Sequence, residues 1–208
     1  MELYEVFDKR RTYRDYTSRE VSEQTLNRII ASAFKAPTND HLRQFEFVVV
    51  RGHENITKVV EPLAKNIEAF TELVAELDES GDPDKMAMFA DALPKQQRML
   101  MQSGLLIIPF WRQAQTPLLH PVEQSSLNFF ASMWCAIENM LLAATAEGLG
   151  TVFHIPVADE SEKIKKILGA PDDYEFACLL TIGYPAENAF LPKQKEIEFS
   201  ERIHLNRW

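Results

Sequence analysis

Apolar residues recur along this chain in two patterns: helical spacing, and short dense runs of the kind that form buried strands. Leu3, Val6 and Phe7 fall on one face of a short helix over residues 2–9. Leu26, Ile29, Ile30, Ala33 and Phe34 follow at i, i+3, i+4, i+7 and i+8. Ser22 is placed to cap that helix, Glu23 sits in its first turn, and Pro37 stops it. Phe45–Val50 reads as a strand. Residues 55–78 read as a long helix through Ile56, Val59, Val60, Leu63, Ile67, Phe70 and Leu77, with a kink at Pro62. The acidic turn Asp78–Asp84 leads to a helix near residues 85–102, and Gly104–Trp111 reads as a buried strand. Residues 113–122 are irregular, with Pro117 and Pro121. Residues 123–147 form the longest helix, and apolar residues on most of its sides place it in a large core or a subunit interface. Gly148-Leu149-Gly150 closes it, and the strand Thr151–Ile155, a helix at 160–168 and the strand Phe176–Ile182 follow. Gly183-Tyr184-Pro185 ends that last strand. Residues 186–208 are polar and Pro-interrupted, and are expected to form an extended arm.

The predicted order, α-α-β-α-α-β-α-β-α-β-tail, fits one α+β or α/β domain over residues 1–208. Long helices between strands suggest parallel crossovers, but the pattern leaves strand direction open. The chain carries 31 acidic and 22 basic residues, for a net charge of −9, which argues against nucleic acid as a partner. Cys135 and Cys178 both fall in apolar runs and read as small core residues. No Cys/His spacing fits a metal site. No apolar run reaches the roughly 18 residues that span a bilayer, and no signal-peptide core is seen. A cytoplasmic location without a membrane partner is the expectation.

Against that acidic background, Arg10-Arg11-Thr12-Tyr13-Arg14 places three arginines within five residues. Such a cluster suits a fixed anion, of which phosphate is the commonest small example. Neither a P-loop nor a G-x-G-x-x-G fingerprint nor a G-x-S-x-G elbow is present. Downstream come the polar loop and strand Pro37–Phe47, Gly148–Thr151, Gly183-Tyr184-Pro185, and Lys193 with Lys195. Taken in this order, the motifs resemble those of the FMN-dependent nitroreductase family, over essentially the whole chain.

The resemblance implies a nitroreductase-like α+β fold with a central mixed sheet flanked by helices. It also implies an intertwined homodimer in which the C-terminal arm wraps the partner and adds a strand to its sheet. Arg10, Arg11, Thr12, Lys193 and Lys195 resemble the residues around the FMN phosphate and ribityl chain. Arg14 resembles the cation at the pyrimidine edge of the flavin. Pro37, Thr38, Asn39 and His41 resemble a segment that reaches the flavin of the other subunit. Gly150, Phe153, His154 and Ile155 resemble the stretch that faces the ring, with the Ile155 backbone N–H as the expected donor to flavin N5. No side chain is required as acid or base, and no metal is implied. His41 and Arg43 stand where the family usually has Asn and Gln, Gln44 replaces its Pro and Phe45 its Trp. The implied activity is ping-pong transfer of electrons from NAD(P)H through FMN to a nitroaromatic, a quinone or a similar small aromatic acceptor. A flavin-binding storage, sensor or regulatory protein without turnover is the alternative. A relative acting on the flavin itself or on a halogenated aromatic is a third reading.

Overall fold

Strand β2 (Leu105–Arg112) organises the molecule, because seven of its eight residues are buried. Its side chains alternate between two layers, as strand geometry requires. Leu105, Ile107 and Trp111 face a core shared with helices α2 (Glu23–Ala33) and α6 (Asn128–Ala146). Leu106, Ile108 and Phe110 face a second core shared with α3 (His53–Val60), α5 (Gln96–Gln102) and α7 (Glu160–Leu168). Helices therefore cover both faces of the sheet. The structure, a computed structural model, describes residues 1–64, 82–113, 127–157 and 159–208.

The sheet runs β1 (Phe45–Arg51), β2, β5 (Leu179–Gly183), β3 (Gly150–His154), with β4 (Tyr174–Phe176) also paired to β2. Every pairing between these strands is antiparallel. The only parallel contact among the described residues is an isolated bridge, Thr12 to Thr151. The expected mixed sheet is thus corrected to an antiparallel one. The helical connection after β1 makes a round trip: β2 begins beside the end of β1, with Arg51 opposite Leu105.

Phe176–Ile182, expected as one strand, is two. Phe110 pairs with Phe176 and Ile107 with Leu180, so one extra residue is accommodated between β4 and β5. The break lies opposite Pro109, which has no N–H to offer a ladder. The Pro109 carbonyl still accepts from Ala177 N at 3.2 Å.

The predicted helices are largely present. Ser22 caps α2 by accepting from Thr25 N at 3.1 Å. Near Pro62 the helix passes into a 3-10 turn at Glu61–Leu63, and the rest of the predicted 55–78 helix lies outside the described residues. The 85–102 helix divides at Pro94 into α4 (Pro83–Ala92) and α5, joined by a 3-10 turn at Leu93–Lys95. Residues 123–126 of the predicted longest helix, and nearly all of the irregular 113–122 stretch, also lie outside the described residues.

Helix α6 packs on α2, β2 and β3 and on α1 (Leu3–Lys9). By length and composition this helix alone among the described residues could cross a bilayer, although Asn128, Glu138 and Asn139 interrupt its apolar residues. Its Ala131, Cys135 and Glu138 are exposed in the single chain. Cys135 therefore departs from its expected core position, whereas Cys178 is fully buried, and burial pushes its thiol pKa up. Residues 193–208 of the arm are exposed, with one 3-10 turn at Phe199–Arg202.

Candidate functional site

The arginine cluster lies across one end of the sheet, and two glycines explain how it gets there. A Cβ on Gly150 would stand 2.7 Å from the Cβ and Cγ atoms of Tyr13. A Cβ on Gly183 would stand 2.8 Å from the Tyr16 ring. Each glycine thus admits a tyrosine against the backbone of β3 or β5. Tyr13 N donates to the Thr151 carbonyl at 3.0 Å. The buried Tyr16 hydroxyl donates to the Tyr13 carbonyl at 2.8 Å and lies 2.7 Å from Thr181 Oγ1. Burial raises the Tyr16 pKa, so the phenol stays protonated and can fill that role. Arg10, Arg11, Thr12 and Arg14 are the residues between and beside these anchors.

Around them is a cavity of about 310 Å³ lined by Arg10, Arg11, Thr12, Arg14, Lys193 and Lys195 together with residues of α4. The arm enters it from the same chain: Arg11 donates to the Pro192 carbonyl. Counting Lys85, six cationic side chains line the cavity against two acidic ones, Asp82 and Asp84. Asp82 caps α4 by accepting from Asp84 N and Lys85 N, and lies 3.8 Å from Lys195 Nζ. A net excess of cations on a chain of charge −9 makes this cavity suited to an anion.

A second cavity, of about 280 Å³, is lined by Arg14, Ala92, Gln96, Met99, Val152, Phe153, His154, Ile155, Val157 and Glu160. Arg14 borders both cavities. Its guanidinium is held by Asp91 at 3.5 Å, and Asp91 also pairs with Lys95, which in turn pairs with Asp15. Burial pulls the Lys95 pKa down, but its hydrogen bonds to Asp15 and Asp91 outweigh this and hold it above the ordinary value. His154 Nε2 is 2.9 Å from Glu160 Oε2, and that same oxygen accepts from Val157 N at 2.9 Å.

Of the residues singled out in the sequence, Arg10, Arg11, Thr12, Arg14, Lys193 and Lys195 meet at the cationic cavity. Phe153, His154 and Ile155 meet at the apolar one. Gly150, expected at the cofactor, lies under Tyr13 and lines neither cavity. Pro37, Thr38, Asn39 and His41 also line neither. Their loop sits beside the start of α6, where Asn39 N donates to Ser132 Oγ at 2.9 Å and Asn128 Nδ2 donates to Asn39 Oδ1 at 3.2 Å. Asp40, His41 and Arg43 all have positive φ. The residues missed by sequence reasoning are Asp91, Gln96, Met99 and Glu160. Only Glu160 had a readable signal, an acidic residue opening a helix six positions after a histidine that ends a strand.

A cationic compartment and an apolar one, both bordered by Arg14, suit a molecule with a phosphate at one end and a flat ring system at the other. A protein of Methanothermobacter thermautotrophicus named for NADH dehydrogenase or NAD(P)H nitroreductase activity is 29% identical, covering 100% of this chain and 88% of its own length. An iodotyrosine deiodinase of Haliscomenobacter hydrossis is 25% identical, covering 92% and 82%. A solved iodotyrosine deiodinase bound to FMN and 3-iodo-L-tyrosine superposes with a TM-score of 0.77 over 100% of both chains at 18% identity, which shows the common fold. The sequence pattern of the nitroreductase family matches residues 8–184, and the chain belongs to that family.

Proposed function

We propose that the protein is an FMN-dependent oxidoreductase that takes electrons from NAD(P)H and passes them to a nitroaromatic, quinone or similar acceptor. The observation that carries this reading is Arg14, which borders both the cationic cavity and the apolar one. Bound FMN supplies a two-electron carrier that a nicotinamide can reduce and an acceptor can reoxidise. Arg10, Arg11, Lys193 and Lys195 neutralise its phosphate, with Thr12 as a further hydrogen-bonding group. Arg14 places a permanent positive charge where negative charge on the reduced ring would gather. Phe153, Ile155 and Met99 would give the ring an apolar seat, and the Ile155 N–H would be the donor to its N5. One pocket serving both substrates makes the kinetics ping-pong.

The assembly belongs to this reading. Leu3, Tyr4 and Phe7 of α1 and Ile197, Phe199, Ile203, Leu205 and Trp208 of the arm are all exposed in the single chain. A homodimer covers them and brings the Pro37–His41 loop to the partner's flavin. The use of reduced nicotinamide fits a cytoplasmic location.

Anaerobic stopped-flow mixing of the FMN-loaded protein with NADH or NADPH tests the proposal. Bleaching of the flavin band, with reoxidation by a quinone or nitroaromatic, is the expected result. Bound flavin that neither nicotinamide reduces leaves the flavin-binding protein without turnover. A halogenated phenol is the second acceptor class, favoured by the sequence similarity to the iodotyrosine deiodinase of Haliscomenobacter hydrossis. Iodide release from 3-iodotyrosine, with no quinone turnover, would select it.

A further inference from the structure

His154 and Glu160 form a pair that binding a flavin does not require. His154 ends β3 and lines the apolar cavity, with its side chain only 10% exposed. Glu160 is fully buried at the first residue of α7. Its carboxylate accepts from Val157 N at 2.9 Å, while its own N–H donates back to the Val157 carbonyl at 3.1 Å. That reciprocal pair fixes the carboxylate beside the imidazole, where Oε2 lies 2.9 Å from His154 Nε2.

A carboxylate at a helix N-terminus with a backbone N–H already on it acts as an acceptor. The ring nitrogen facing it must therefore carry a proton. This sets the neutral ring as the Nε2–H tautomer. Nδ1 is left as the nitrogen able to exchange a proton, and among the described residues no hydrogen bond occupies it. The other polar groups lining this cavity are poorer proton sources. Arg14 is held by Asp91, Gln96 is not an acid, and Glu160 is engaged with His154 and Val157.

We propose that His154 is the proton donor to the bound acceptor, and that Glu160 is the residue that positions it. The inference rests on the FMN oxidoreductase reading and adds a side chain to a reaction otherwise left to solvent. Reduction of a quinone to a hydroquinone takes two electrons and two protons. Reduced FMN bound in the site would supply both electrons and one of the protons as a hydride. The imidazolium gives the other from Nδ1 to the quinone oxygen, forming the O–H bond. The ring returns to its Nε2–H tautomer, still bonded to Glu160, and regains its proton from solvent.

The test compares two acceptors on the FMN-loaded, nicotinamide-reduced protein. A benzoquinone takes electrons and protons, whereas ferricyanide takes electrons only. In His154→Gln and His154→Asn, the ratio of quinone to ferricyanide rates is expected to fall about 100-fold, the lower end of general-acid contributions. Glu160→Ala should lower the ratio less, by about 10-fold, because it frees the ring without removing it. Nitrogen-15 imidazole spectra give a readout independent of turnover. The wild-type ring should show the Nε2–H tautomer alone, and Glu160→Ala a mixture. A reducible flavin with an unchanged rate ratio, or a wild-type ring protonated on Nδ1 when neutral, overturns the proton donor alone. A bound flavin that no nicotinamide reduces overturns the oxidoreductase reading and the donor with it.

Discussion

Two polar segments carry the residues that the sequence marks for the cofactor, and the fold treats them differently. Arg10–Arg14 is half-buried and tied to the sheet by a backbone bond to Thr151, by the Tyr16 hydroxyl and by rings seated over Gly150 and Gly183. The loop Thr38–Gln44 is largely exposed, and its tether to α6 is the pair of contacts made by Asn39. The first segment borders the cationic and the apolar cavity, and the second borders neither, lining a small pocket beside Trp111 and Phe129 instead. A segment that must present several cations to one dianion needs rigid anchors. A segment that reaches across to a second subunit completes its packing only in the assembly. The contrast is the physical basis for proposing one for the resident site and the other for the partner's.

The sharpest way to break the comparison is to lift the first segment off its seat. Gly150→Ala forces the new methyl into the base of the Tyr13 side chain, 2.7 Å away, where no flexible end can yield. Overpacking of this kind costs about 1–3 kcal/mol of stability, a fall in melting temperature of roughly 2–10 °C. Because Tyr13 lies between Thr12 and Arg14, FMN affinity should fall on the order of 100-fold, measured by flavin fluorescence titration. An unchanged affinity would show that the glycine does not set the arginines.

Charge removal tests the two segments side by side. Arg10→Ala combined with Lys195→Ala leaves the anchors intact and removes two cations from the 310 Å³ cavity. Each charge-assisted bond lost is worth about 1.5–3 kcal/mol, or roughly 10–100-fold in the FMN dissociation constant. Arg43→Ala should leave phosphate affinity within about 3-fold, since Arg43 lines neither the cationic cavity nor the apolar one. Equal losses from the two replacements would erase the distinction between the segments.

Much of this was legible in the chain, and the gaps have physical causes. The helix over residues 160–168 and its bounds followed from periodicity alone. The arginines, the two glycine motifs and the lysine pair were visible as an ordered set, but their mechanical unity was not. Gly150 and Gly183 matter through the ring that packs on each, and a contact between residues over 130 positions apart leaves no local mark. Strand direction was hidden because a helical excursion can return to either end of the sheet. The break between β4 and β5 was hidden because its cause, Pro109, lies on a neighbouring strand. Asp91 escaped notice because Arg14 becomes its neighbour only when α4 folds over the cavities, and its pairing with Lys95 is a local i, i+4 contact that marks no site.

The smallest expected effect probes the second segment. His41 has φ 54°, a region that costs a non-glycine residue about 1–2 kcal/mol and costs glycine almost nothing. Replacing it with glycine relieves that strain but adds about 0.5–1 kcal/mol of chain entropy to the unfolded state. His41→Gly should therefore change stability by less than about 1 kcal/mol in either direction, followed by denaturant titration. The imidazole is exposed and lines neither the cationic nor the apolar cavity, so folding gives no reason to keep it at a position that favours glycine. If turnover drops while stability and FMN affinity hold, the side chain serves the partner's site. If stability instead falls by well over 1 kcal/mol, the histidine holds its own loop, and the two segments differ less than their packing suggests.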